Sequence, residues 1–332
     1  MLAVRTEGLT KAFERRLGRE RTSHVAVAGI DLQIEQGEAV AFIGPNGAGK
    51  STTIKMLTGI LHPSSGAAEV LGLVPWQQRQ RLALQIGTVF GQRSQLWFHL
   101  PAGDTLRLLG AIYELPADVV RRRSEELVER FALGELLTVP VRKLSLGQRM
   151  RFEIAASLLH QPRVLFLDEP TVGLDPQTRT LMWEDVLRMR DEEGVTIFLT
   201  THYMDEAEHA DRIAIIDHGA IVALDTPDAL KHQAGQDSVE LRTADDTVAR
   251  DRLASAGFDV RQGDEALVVF TSDGEARVPE LIATAGVAVR NVHVHRPTLD
   301  DVFLHYTGRQ IREDHAERST SGRMRAFASR RR

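Results

Sequence analysis

Three short stretches of the chain are almost continuously apolar: Glu38–Ile43 (EAVAFI), Val164–Leu167 (VLFL) and Thr196–Leu199 (TIFL). Runs of that length without alternation predict strands buried on both faces of a parallel sheet. Between them, Lys50–Leu61, Pro176–Glu192 and Met204–Ala210 carry helical spacing. Strand and helix taking turns up to about Thr226 predict a doubly wound α/β core. From Ser94 to Lys143 the helical period dominates, with Arg121–Phe131 strongly amphipathic, so a helical insertion over about 94–160 is expected within the sheet domain.

The pattern changes near Pro227. Ser238–Arg242, Ala266–Thr271 and Val289–Val294 read as strands, and Asp246–Ala256 and Glu275–Ala285 as helices. This predicts a second, small α+β domain of ferredoxin-like type over 227–308. The tail 309–332 is polar, rich in arginine and without apolar period, which predicts disorder.

Composition then narrows the chemistry. The chain has no cysteine, which removes disulfides, thiolate metal sites and cysteine nucleophiles and suits a reducing compartment. A net charge of −5 gives no overall pull toward nucleic acid, and no nucleic-acid partner is expected. The N-terminal MLAVRTEGLTKAF lacks the apolar core of a signal peptide. A membrane span needs about 20 mostly apolar residues. The best runs, such as Val164–Leu167 and Ile213–Ile216, are short and bounded by charge, so a transport role would need other chains.

Two motifs carry candidate chemistry. Gly44-Pro45-Asn46-Gly47-Ala48-Gly49-Lys50-Ser51 fits G-x-x-x-x-G-K-[ST] between an expected strand and an expected helix that continues through Thr52. Glycines let the backbone turn successive N–H groups inward, and the helix start adds partial positive charge, so the loop suits a polyphosphate. Lys50 would reach the β- and γ-phosphates, and Ser51 would ligate Mg²⁺. The second motif is Val164–Pro170, an apolar strand ending in Asp168 and Glu169. Successive strand side chains point to opposite sides, so the two acids can differ in role. Asp168 would serve the Mg²⁺ shell and Glu169 would face attacking water as general base.

With these two motifs, Leu144-Ser-Leu-Gly-Gln148 resembles the LSGGQ signature of ABC-type ATPases, departing from it at Leu146. The resemblance covers the chain to about Thr226 and implies an ATPase using ATP and Mg²⁺. It implies that Ser145, Gly147 and Gln148 contact nucleotide held by a second copy in a head-to-tail homodimer. Val172-Gly-Leu-Asp175 is similar to the D-loop, and His202 to the switch histidine touching the γ-phosphate and Glu169. Gln92 resembles the Q-loop glutamine near Mg²⁺ and water, with Gln95 as the competing position. Phe13 resembles the aromatic residue that stacks on adenine; a core position is the alternative. The basic stretch Arg15–Arg21 is expected to extend a solvated hairpin.

The C-terminal part, with Arg296–Leu304 (RPTLDDVFL), is similar to drug-exporter ATPases of the daunorubicin-resistance type, and Phe90–Trp97 (FGQRSQLW) to a viologen-exporter-like branch. Integral membrane permease subunits and a peripheral place at the cytoplasmic face of the cell membrane are thereby implied, with Trp97 and Phe98 as contacts. A soluble ABC ATPase without a permease is the competing reading. His293 and His295 could share one face of an expected strand and bind a metal, but no matching ligand set is evident nearby, which favours a surface strand.

Overall fold

The computed structural model describes residues 1–17, 20–91, 93–263 and 266–308. Gln92 and the arginine-rich tail lie outside the described residues. The described chain divides into two compact units, Met1–Thr226 and a second that begins at Pro227.

The first unit opens with a long hairpin, β1 (Leu2–Leu17) and β2 (Glu20–Glu35), then β3 (Ala39–Ile43) and α1 (Lys50–Leu57). Next come β4 (Ser65–Val70), α2 (Arg79–Ala83) and β5 (Ile86–Phe90). The helices α3 (Ala102–Ile112), α4 (Ala117–Arg130) and α5 (Leu146–Leu158) follow as the insertion. The chain then returns through β6 (Val164–Asp168), α6 (Pro176–Glu193), β7 (Thr196–Thr201), α7 (Met204–Ala207), β8 (Arg212–Asp217) and β9 (Ala220–Asp225).

Six of these strands form one sheet in the order β5-β6-β7-β3-β8-β9, parallel except for β9. All residues of β3 and β7 are buried, as the unbroken apolar runs demand. A second, antiparallel sheet has the order β2-β1-β4. One core joins Val4, Leu9, Ile30 and Ile34 of that sheet with Ile54 and Leu57 of α1 and Phe42, Phe166 and Phe198 of the parallel sheet. Helix α1 therefore sits in the main core with its N-terminus fixed at the strand ends. It is shorter than the sequence predicts: Gly59, at φ 71°, turns the chain left-handed and stops the helix.

The second unit contains α8 (Pro227–Ala234), β10 (Asp237–Thr243), α9 (Asp246–Ser255), β11 (Asp259–Gln262) and β12 (Leu267–Thr271). It ends with α10 (Gly274–Ala285), β13 (Val289–His295) and α11 (Leu299–Thr307). Its antiparallel sheet, β11-β12-β10-β13, has the βαββαβ order of a ferredoxin-like domain. Val239, Leu241, Leu253, Val269 and Leu281 form a core of its own. Thr298 caps α11 in a reciprocal box with Asp301, which gives the Arg296–Leu304 stretch a local structural meaning. His293 and His295 are exposed on β13, and no group of three metal-ligating side chains occurs among the described residues.

The rings of Phe42 and Phe166 lie 5.4 and 5.7 Å from that of Phe198, which is wholly buried. Phe198→Ala is expected to cost about 3–5 kcal/mol of stability, read as a lowered urea midpoint.

Candidate active site

The strand order brings three loops together. β7 lies between β3 and β6, so the turns leaving all three strands open on the C-terminal edge of the parallel sheet. Ligands of open α/β sheets bind at this edge.

The loop Gly44–Gly49 leaves β3 and enters α1. Gly49 is at φ 112°, and a Cβ there would stand 2.4 Å from the Ala26 carbonyl, so only glycine fits. Lys50 is buried; its Nζ donates to the carbonyls of Gly44 (2.6 Å) and Pro45 (3.3 Å). The same amine is 3.6 Å from Glu169 Oε1.

Asp168, the last residue of β6, accepts from Ser51 Oγ at 2.9 Å and from Thr200 Oγ1 at 2.7 Å on the same oxygen, Oδ1. Glu169 has left the strand, with φ 50°. A left-handed turn, rather than the pleat, aims the two acids apart. The Glu169 N–H donates to the Thr200 carbonyl (3.0 Å) and to Thr200 Oγ1 (3.1 Å). Its carboxylate meets Lys50 and, at 3.8 Å, His202 Nδ1. The neighbouring His202 imidazole, opposed by burial and aided by the Lys50 charge, holds Glu169 below the usual carboxylate range.

His202 follows β7, and its ring leans on Tyr203 at 4.3 Å. Behind it stands Glu206, buried, accepting from Thr201 Oγ1 (2.6 Å) and from Thr171 Oγ1. Burial pushes the Glu206 carboxyl up. This carboxylate ties the turn after β6 to the turn after β7. The roles of Thr171, Thr200 and Glu206 carry no signal in the sequence, because each is defined by partners far along the chain.

A cavity of about 330 Å³ is lined by Phe13, His24, Asn46, Gly47, Lys50, Ser51, Thr52 and Glu169, among others. Phe13 is 43% exposed, so the core alternative for it fails. His24 faces it across the β1–β2 pair and was not anticipated. On the other side of Ser51, Asp168 and Glu169, a smaller cavity of about 130 Å³ is lined by Phe90 and Arg93, the neighbours of Gly91 and Gln92. Gln92 itself lies outside the described residues. Gly91 is required: its N–H donates to the Asp168 carbonyl at 2.9 Å, and a Cβ would stand 2.4 Å from the Glu169 carbonyl. Gln95 donates through Nε2 to the Glu153 carbonyl at 2.9 Å, which ties it to α5.

Ser145 is the N-cap of α5 in a capping box: its N–H donates to Gln148 Oε1 (2.9 Å), and Gln148 N–H donates to Ser145 Oγ (3.2 Å). Ser145, Gly147 and Gln148 are absent from the lining of the 330 Å³ cavity. Leu146 lies against Gly173, where a Cβ would come within 2.9 Å of its Cδ2. Asp175 caps α6, accepting from Thr178 N at 3.0 Å and Thr178 Oγ1 at 2.7 Å, and these bonds lower its pKa.

A glycine cradle, a buried ammonium group and a hydroxyl beside a carboxylate suit a nucleoside triphosphate with a hard divalent cation. Comparison with known proteins agrees. Residues 27–172 match the ABC transporter family model, and residues 226–307 match the C-terminal domain of DrrA1-3-like ATP-binding proteins. The daunorubicin resistance ATP-binding protein DrrA3 of Streptomyces coeruleorubidus is 38% identical over 309 residues, covering 90% of this chain and 96% of that protein. This chain belongs to the ATP-binding subunits of ABC transporters.

The cassette is also 36% identical to Nod factor export ATP-binding protein I of Ralstonia nicotianae, covering 92% of this chain and 94% of the relative. The dimeric, post-hydrolysis ATP-binding cassette MJ0796 bound to ADP and Pi aligns with a TM-score of 0.60 and 25% identity, covering 67% of this chain and 98% of that one. The cassette is thus an ATP-hydrolysing enzyme of this family, whose domains dimerise. No helix among its described residues is long and apolar enough to cross a membrane.

Removing the imidazole removes the largest influence that lowers the Glu169 pKa. In His202→Ala, the Glu169 titration, followed by NMR, is expected to move up toward the ordinary carboxylate value. A depressed folded-state pKa stabilises the fold above the unfolded-state value, and that contribution is lost as pH falls through the folded one. The variant should therefore lose less stability on acidification than the wild type.

Proposed function

We propose that two copies of this cassette close head-to-tail on ATP, and that their opening and closing drives separate membrane-spanning export subunits. The observation that carries the reading is the convergence of Lys50, Ser51, Asp168, Glu169 and His202 on one sheet edge, with Ser145 on a helix outside that cavity. A single copy supplies the phosphate loop; a second supplies the signature helix, as a two-fold arrangement requires.

The backbone of Gly44–Thr52 cradles the phosphates, and Phe13 stacks on the adenine. Lys50, held over the loop by two carbonyls, turns its charge to the β- and γ-phosphates. Ser51, Asp168 and Gln92 would hold Mg²⁺, which supplies charge neutralisation on the phosphate oxygens. Glu169, kept ionised, orients and deprotonates the attacking water. His202 keeps that carboxylate in line and contacts the γ-phosphate. The Ser145 hydroxyl accepts from the Gln148 N–H within its cap, and its one proton would be donated to the neighbour's γ-phosphate. The N–H of Gly147 and the side chains of Gln148 and Asp175 lie on the surface that faces the second copy. Cleavage removes the shared phosphate and the copies part.

Export is supported by the names of the relatives, which speak of daunorubicin resistance and Nod factor export. Trp97 and Phe98, exposed in the chain segment after Gln92, are the proposed face for the membrane subunit, and a cassette so bound would lie peripherally at the cytoplasmic face. The domain boundaries at 226 and 308 separate this ATPase from an accessory ferredoxin-like domain.

Glu169→Gln keeps the shape of the site and removes the base. Turnover is expected to fall about 10²- to 10⁴-fold while ATP-bound dimer accumulates in gel filtration. Turnover near the wild-type rate would show that Glu169 is not the base. Purification of the tagged cassette from membranes is expected to retain a polytopic membrane protein; a cassette that copurifies with none would favour a free-standing ATPase.

A further inference from the structure

Glu153 lies in the middle of α5, about 12 Å along the helix from Ser145. It is 4% exposed, and burial pushes its carboxyl pKa up. None of the chemistry above uses it. Among the described residues no cation forms an ion pair with it, although the Arg149 charge acts on it, and burying such a carboxylate costs folding free energy that an apolar side chain would avoid. What it supplies instead is directional bonding to one segment of chain. Its Oε1 accepts from Ser94 Oγ, its Oε2 accepts from Gln95 N–H at 3.2 Å, and its carbonyl accepts from Gln95 Nε2 at 2.9 Å. Ser94 Oγ in turn accepts from Leu96 N–H at 3.1 Å, and Leu96 is buried.

The next residues are fastened just ahead of the same helix. Arg142 N–H donates to the Phe98 carbonyl and Val141 N–H to the Leu100 carbonyl, each at 3.0 Å. The Arg149 guanidinium lies 5.8 Å from the Phe98 ring. Trp97 and Phe98 remain exposed between these ties. The two exposed aromatics and the Ser145 cap thus belong to one bonded body.

We propose that Glu153 is a positioning residue: its buried carboxylate clasps Ser94 and Gln95 to the signature helix, so that force on Trp97 and Phe98 sets the placement of Ser145. The inference rests on the proposed function, in which Ser145 completes a neighbour's nucleotide site and the aromatics face a membrane subunit. Without the clasp, the segment and the helix move separately. ATP still binds the phosphate loop, which the clasp does not touch, but the second copy's serine seats poorly.

The test uses the full chain as wild type, Ser94→Ala, Glu153→Gln and Glu153→Ala. Ser94→Ala keeps the buried charge and both Gln95 bonds, so it reads the clasp even where Glu153→Ala folds badly. Amide exchange in Ser94–Phe98 is expected to rise about tenfold when a hydrogen bond to a charged group is removed, with the rest of the first unit unchanged. The Kd of the single cassette for a fluorescent ATP analogue should stay within about twofold, while kcat falls several-fold, following the placement of Ser145. In vesicles with the membrane subunits, the ratio of stimulated to basal ATPase should drop toward one. Unchanged exchange at Ser94–Phe98, or raised exchange with wild-type kcat and stimulation, overturns the clasp. Exchange rising across the whole unit assigns Glu153 to general stability and also overturns it. If the wild type responds to no membrane subunit, the proposed function fails, and the clasp still stands or falls on exchange and kcat.

Discussion

A single buried hydroxyl organises the acidic half of the site. Thr200 Oγ1 donates to Asp168 Oδ1 and accepts from the Glu169 N–H, so one proton and one lone pair fix two successive residues. Neighbouring carboxylates repel each other, and a shared direction would raise the pKa of one of them. The left-handed backbone at Glu169 prevents this by turning the second acid away, toward Lys50 and His202. A non-glycine residue at that φ costs of order 1–3 kcal/mol, and the two bonds from its N–H to Thr200 offset part of it. Gly91 belongs to the same arrangement, because a larger residue would collide with the carbonyl of this turn.

Charge balance then explains how the site holds together before any phosphate arrives. Lys50 is buried, and a buried ammonium group needs compensation. The Gly44 and Pro45 carbonyls and the Glu169 carboxylate provide it. In the proposed function, phosphate oxygens would compete for the same amine and so would free Glu169 to act on water. The lowered pKa of Glu169 therefore belongs to a resting arrangement that substrate rearranges. Glu206 fastens Thr201, the residue before His202, to Thr171, and these bonds run to no reacting group.

The chemistry was more legible in the sequence than the architecture around it. The glycine loop and the Asp168–Glu169 pair use residue types that few other contexts require, and β3 and the middles of β6 and β7 are apolar runs. Of the β1–β2–β4 sheet only a hairpin at Arg15–Arg21 was expected; the register shifts between β1 and β2 blur the period of two on which a reading of the whole sheet depends. Strand β8 was visible only as the apolar run Ile213–Ile216, and β11 is a short edge strand whose polar residues carry no periodic signal. Thr171, Thr200 and Glu206 could not be read at all, because a buried polar residue is defined by partners far along the chain. The turn that separates the two acids was hidden for the same reason: strand alternation gave the right consequence from the wrong cause.

Leu146 shows how one departure from a motif can be absorbed locally. A glycine at that position would leave space over Gly173; the leucine fills it, and Gly173, at φ 82°, has no Cβ to object. The start of the signature helix is thereby packed against the turn that leads to the Asp175 cap, so two segments that face a second copy are braced against each other within one chain. Packed elements move in discrete steps rather than by continuous deformation. With Glu153 clasping the middle of the same helix to Ser94 and Gln95, α5 is held at its start and at its centre. A helix held in this way transmits displacement as a body, and the loss of flexibility that leucine brings to the motif becomes part of the coupling.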